Sequence, residues 1–171
     1  MSNKPTSNGL NTYLQVAGWG LITGMRSMAA PALLSEHLRQ HPSPHLAGSW
    51  FGLLSSPATA TLFKLLAAGE MAVDKLPILP DRTAKGPLGG RVVVGALVGA
   101  ALAAAKGERP VIGAVIGGAA AIVGAHAGYY FRTWLEKRLQ APDPLMAVIE
   151  DVAVLGGLSL LRSELVSEEA A

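Results

Sequence analysis

Leu88-Gly89-Gly90-Arg91-Val92-Val93-Val94-Gly95-Ala96-Leu97-Val98-Gly99-Ala100-Ala101-Leu102-Ala103-Ala104-Ala105, then Lys106-Gly107-Glu108-Arg109, then Pro110-Val111-Ile112-Gly113-Ala114-Val115-Ile116-Gly117 and on to Phe131: this stretch decides the fold. It holds two long apolar runs joined by a four-residue polar turn. Each run matches the length of a bilayer-crossing helix, about 20 residues. The turn is so short that the two runs must be antiparallel neighbours. Gly95-xxx-Gly99 and Gly113-xxx-Gly117 repeat a small-xxx-small spacing that lets helix backbones approach closely where lipid offers no hydrophobic drive.

Working outward, the same texture recurs. The chain has 171 residues, 50% of them hydrophobic and only 15% charged, with 20 glycines. Soluble domains carry about 25% charged residues. The apolar residues lie in long runs rather than on one helical face, which marks a membrane protein whose partner is the lipid bilayer. Five segments are expected, at about 10–34, 50–73, 88–105, 110–131 and 145–161. The fold class is therefore an all-α, polytopic transmembrane helix bundle, with a broken or re-entrant first or second segment left open. Residues 1–9 read as a mobile tail, 10–161 as one transmembrane domain and 162–171 as an acidic tail. A formal net charge of +2, with no basic run, gives no nucleic-acid surface. The absence of cysteine excludes disulfides, thiol catalysis and Cys-bound zinc.

The charges that interrupt this apolar chain are the candidate site. Gly69-Glu70-Met71-Ala72-Val73-Asp74-Lys75-Leu76-Pro77-Ile78-Leu79-Pro80-Asp81-Arg82 runs an apolar helix into five ionisable side chains. Glu70 and Asp74 stand four apart and share a helix face. Arg26 lies inside the first segment, where a charge costs about 2.5–3.5 kcal/mol on insertion scales. It needs an acidic partner, or else it snorkels at a helix end. Arg91 opens the third segment, and Glu150-Asp151 interrupt the fifth. The expected pairing sets Arg26 against Glu70 and Asp74, and Glu150/Asp151 against Arg82 or Arg91. Candidate ion- or solute-binding residues are thus Arg26, Glu70, Asp74, Lys75, Asp81, Arg82, Arg91, Glu150 and Asp151.

Residues 35–49 read as a polar loop. His37, His41 and His45 stand four apart there, but Pro42 and Pro44 break any helix that would align them for a metal. No nucleophile elbow, zinc-protease helix, Walker loop or dinucleotide fingerprint is present, so an enzyme is disfavoured and no cofactor is expected.

Gly24-Met25-Arg26-Ser27 with Ala30-Pro31-Ala32, Gly69-Glu70 with Asp74-Lys75-Leu76-Pro77 and Pro80-Asp81-Arg82, Gly90-Arg91 with Gly95-Ala96, and Glu150-Asp151 together resemble one pattern. It is that of an uncharacterised bacterial membrane-protein family, domain of unknown function 4126. The resemblance covers roughly residues 15–160 and implies a small multi-helix protein of the bacterial inner membrane. It implies no activity.

Three functions follow as expectations. The first is a transporter- or channel-like protein moving an ion, proton or small charged solute. The second is a structural or assembly protein whose ionic network fixes helix packing. The third is a membrane enzyme acting on a lipid-linked substrate. A homo-oligomer through the Gly-xxx-Gly faces (Gly20/Gly24, Gly95/Gly99, Gly113/Gly117, Gly124/Gly128) is a further expectation. Eight Lys and Arg residues against four on the two faces of a five-span chain place the N-terminus in the cytoplasm and the C-terminus outside.

Overall fold

The computed structural model describes residues 7–73, 85–139 and 143–169, and these form helices and short connections with no strand among them. The helices are α1 (Ser7–Met25), α2 (Ala29–Gln40), α3 (Pro57–Val73), α4 (Lys85–Ala105), α5 (Pro110–Leu139) and α6 (Asp143–Glu169). Two short 3₁₀ turns, Pro44–Leu46 and Trp50–Ser55, lie between α2 and α3. Pro57 separates the second turn from α3, as its missing N–H and fixed φ favour at a helix start.

Glycine packs α1, α4 and α5 together at backbone distance. A Cβ on Gly99 would overlap the Gly113 carbonyl oxygen, and one on Gly113 would overlap that of Gly99. Gly117 meets the Gly95 carbonyl in the same way, Gly24 that of Ala121, and Gly124 that of Leu21. The Gly-xxx-Gly faces are thereby taken up inside the chain. Gly107, at φ +73°, makes the tight turn between α4 and α5, where a side chain would be strained.

Cross-contacts give each helix its direction. At the α4–α5 turn, the Tyr13 hydroxyl donates to Glu108 Oε2 at 3.3 Å, and Ser43 Oγ donates to the Ala105 carbonyl at 2.5 Å. Near the same end, Arg162 donates to Gln40 Oε1 at 2.7 Å. We call this the turn end. Hence α1, α3 and α5 run away from it, and α2, α4 and α6 run back.

The first segment was expected over about 10–34, with a broken or re-entrant course left open. The chain breaks at Arg26, Ser27 and Met28, and α2 returns toward the turn end. The N-terminal end of α1, the 41–49 connection and the C-terminal end of α6 therefore lie together. Other boundaries shift too. α1 begins at Ser7, inside the expected tail, and α2 runs to Gln40 with Glu36 and His37 buried in the expected loop. α5 continues unbroken to Leu139, and α6 continues through the expected acidic tail as far as Glu169.

Among the described residues, two stretches are long and apolar enough to cross a membrane: Gly86–Ala105 and Pro110–Leu135, each with mean hydropathy 1.8. α2 and α3, at 12 and 17 residues, are shorter than the roughly 20 a crossing needs. α1 is diluted by Asn11, Thr12 and Gln15, and α6 by Glu150, Asp151 and its polar last turns.

Candidate functional site

The break between α1 and α2 sits about 21 Å along α1 from Thr12, at 1.5 Å per residue. It exposes the last carbonyls of one helix and the first N–H groups of the next. Such groups cannot be left bare away from water. The residue before α2, Met28, has no side chain able to cap it. Glu70 of α3 supplies the cap from outside: Ser27 N–H donates to its Oε1 at 2.9 Å and Met28 N–H to its Oε2 at 2.8 Å. A carboxylate at that position also suits the positive end of the helix dipole. On the other side of the break, Arg91 of α4 donates from Nη1 to the Gly24 carbonyl at 3.0 Å.

Between the two caps lies Arg26, which is fully buried. Its Nη2 stands 2.5 Å from Asp151 Oδ1 on α6. The neighbouring Glu150 is 1% exposed. Its Oε1 lies 3.6 Å from where a Cβ on Gly128 would be, which sets the carboxylate against α5.

Five of the nine expected residues therefore converge on one layer: Arg26, Glu70, Arg91, Glu150 and Asp151. Among the described residues, Arg26 meets Asp151, and Glu70 accepts from two backbone N–H groups. Arg91 donates to a carbonyl oxygen. Asp74, Lys75, Asp81 and Arg82 lie outside the described residues, and the expected pairings with Asp74 and Arg82 lie there with them.

Two features escaped the sequence reading. The first is a buried polar stripe on α1. Thr12, Gln15, Trp19, Thr23 and Arg26 are each at most 7% exposed. Spaced three or four apart, they share one face of the helix. The i, i+3, i+4 pattern was visible, but the surrounding apolar residues drew the eye to the span. The second is a cavity of about 890 Å³ at the turn end, lined in part by Thr12, His37, Gln40, Lys106 and Glu108. The His37 and His41 rings stack there at 5.0 Å. Among the described residues, no three His, Cys, Asp or Glu side chains are grouped to hold a metal.

A separate polar cluster ties α2 to α3 near the turn end. Glu36 accepts from Arg39 Nε at 3.0 Å and Nη2 at 2.5 Å, from Gln40 at 2.6 Å and from Lys64 at 2.9 Å. The Arg39 guanidinium, then the Lys64 ammonium, hold the Glu36 carboxyl well below the usual carboxylate range, and Arg39 is raised in return.

Comparison with protein-family models, with curated proteins and with solved structures yields no match to this chain.

Proposed function

We propose that this is a multi-pass protein of the bacterial inner membrane that moves a proton, ion or small charged solute through its helix bundle. The supporting observation is the junction of three features. A polar cavity opens at the turn end, a buried polar stripe leads inward along α1, and the stripe ends at the Arg26–Asp151 pair beside Glu150. Broken helices with charged groups at the break are the usual way membrane transporters build a site within the bilayer. The kinship with domain of unknown function 4126 belongs to the same proposal and rests on the motif residues alone.

Purified protein reconstituted into vesicles tests the reading. Glu150→Gln and Asp151→Asn are expected to abolish flux while the protein still folds. A wild-type protein with no flux above protein-free vesicles defeats it.

On this reading the α1–α2 hairpin sets the start of α1 and the end of α6 on one face of the membrane. Among the described residues, the basic groups near the helix ends divide five (Lys85, Arg91, Arg132, Lys137, Arg138) against four (Arg39, Lys106, Arg109, Arg162). That difference is too even to orient the chain by charge. The chain has no cysteine, so single cysteines at Asn11, Ser43 and Ser167 can be labelled cleanly in whole cells. All three are expected to react from the same side; opposite labelling of Asn11 and Ser167 would contradict the hairpin.

One observation favours a second, structural reading. Glu70 and Arg91 both bind this chain's own backbone. If the network only fixes packing, the Glu150 and Asp151 variants melt earlier and the wild type carries nothing.

A further inference from the structure

We propose that the species moved is a proton, passed from the turn-end cavity to the Glu150 and Asp151 carboxylates along internal water held by the buried face of α1. This rests on the transport reading above and names its substrate.

The stripe is buried along its length. Thr12 and Gln15 are 5% and 7% exposed, and Trp19, Thr23 and Arg26 are fully buried. Trp19, midway along α1 between Thr12 at the cavity and Arg26 at the ion pair, belongs to the same buried apolar cluster as Val16, Leu34, Leu102, Val154 and Leu158. A solute passing along this stripe would have to part that packing. A proton needs only a hydrogen-bonded file.

Trp19 also indicates where such a file runs. Its indole N–H is buried and has no acceptor among the described residues. Buried donors are rarely left unsatisfied, and ordered water is the usual partner when protein atoms are not. One turn on, Thr23 Oγ1 donates its proton to the Trp19 carbonyl at 2.8 Å, which leaves its lone pairs free to accept from water. The indole only donates, so it does not relay the proton. It fixes a water with its oxygen toward the ring, and Trp19 is a positioning residue.

The step balances without a co-reactant. A proton joins the first water at the cavity, each water passes one proton onward, and the last proton bonds to a carboxylate oxygen of Glu150 or Asp151. Release toward the far face restores the carboxylate. If Asp151 is the acceptor, its protonation neutralises the partner of Arg26.

The test uses full-length protein in vesicles of phosphatidylethanolamine and phosphatidylglycerol with a trapped pH dye and a valinomycin-set potential. Trp19→Phe keeps a six-membered aromatic ring and removes the five-membered ring with its N–H. It is expected to lower proton flux roughly tenfold, the worth of one well-made hydrogen bond, with some loss of melting temperature for the volume removed from the core. Thr23→Val removes the hydroxyl at constant shape, is expected to act in the same direction, and decides the matter if Trp19→Phe fails to fold. If both variants carry wild-type proton flux while Asp151→Asn is silent, the water file is wrong and the transport reading stands. If Asp151-dependent flux appears for sodium or chloride tracer, measured without valinomycin, but not for the pH dye, the proton is wrong. If the wild type carries nothing, the transport reading itself falls, and this inference with it.

Discussion

Gly99→Ala is the sharpest test of how the bundle is held. Alanine in a helix interior is favoured over glycine by about 0.8–1 kcal/mol, so an unobstructed substitution should stabilise. At Gly99 the new methyl would overlap the Gly113 carbonyl oxygen, with that carbonyl carbon and Val16 Cγ1 each 3.0 Å away. Two of these three atoms are backbone and cannot rotate aside, so α4 and α5 must separate. Overpacking of this kind costs about 1–3 kcal/mol, and rigid obstacles place Gly99 at the upper end. The net loss is then about 2 kcal/mol, or roughly 4–8 °C in melting temperature for a chain of this size. Gly156→Ala is the control, because a Cβ there meets nothing within 4 Å. It should raise the melting temperature by about 1–4 °C. Both variants are followed by thermal unfolding in one detergent. If they shift in the same direction by similar amounts, the close α4–α5 contact does not govern stability.

Three further outcomes follow from the ionic groups. Glu70→Ala strips the acceptor from two N–H groups at the start of α2 and should destabilise by about 1–3 kcal/mol, with Glu70→Gln between it and wild type; equal stability of all three in denaturant would argue against the cap. Arg26→Met or Asp151→Leu alone breaks the buried pair and should cost about 3–5 kcal/mol, whereas the double variant should recover much of the loss. Strict additivity in that double-mutant cycle would mean that the two side chains do not interact. Glu36 titrates below its ordinary 4.5 in the folded chain, so its contribution is complete above about that pH and fades as pH falls further. Melting curves of wild type and Glu36→Gln should therefore converge on acidification, and a gap that persists at low pH would show that the Glu36 charge is not its source.

Composition and spacing made much of this architecture legible. The four Gly-xxx-Gly pairs mark helices that touch at the backbone, because no other residue allows that distance. Lys106-Gly107-Glu108-Arg109 had to be a tight turn between antiparallel runs. Arg26 announced itself as a buried charge needing a carboxylate. That Asp151 meets it could not be read, because Asp74, Glu70, Glu150 and Asp151 offer the same chemistry and only the path of the chain brings Asp151 to it. A break in the first segment was open as a possibility, but its place after Met25 was hidden for a related reason. Ser27-Met28 carries no capping signature of its own, since the cap arrives from Glu70, 43 residues away. Local rules for helix starts are blind to a cap supplied by another helix. The polar stripe on α1 was in principle visible from its spacing, but Thr, Gln and Trp are unremarkable singly. The stripe gains meaning once burial is known.

The Arg26–Asp151 pair also sets a schedule for how the protein is made. Some 125 residues separate the two in the chain. At a synthesis rate of about 5–20 residues per second, Arg26 leaves the ribosome roughly 6–25 seconds before Asp151 exists. For most of that interval the glycine face of α1 also lacks the completed α5. The α1–α2 hairpin therefore cannot reach its final packing when it is made, and completes it only once α6 arrives. Assembly of this bundle closes from its last helix onto its first, and a chain truncated before Asp151 should be recognised by the cell as unfinished.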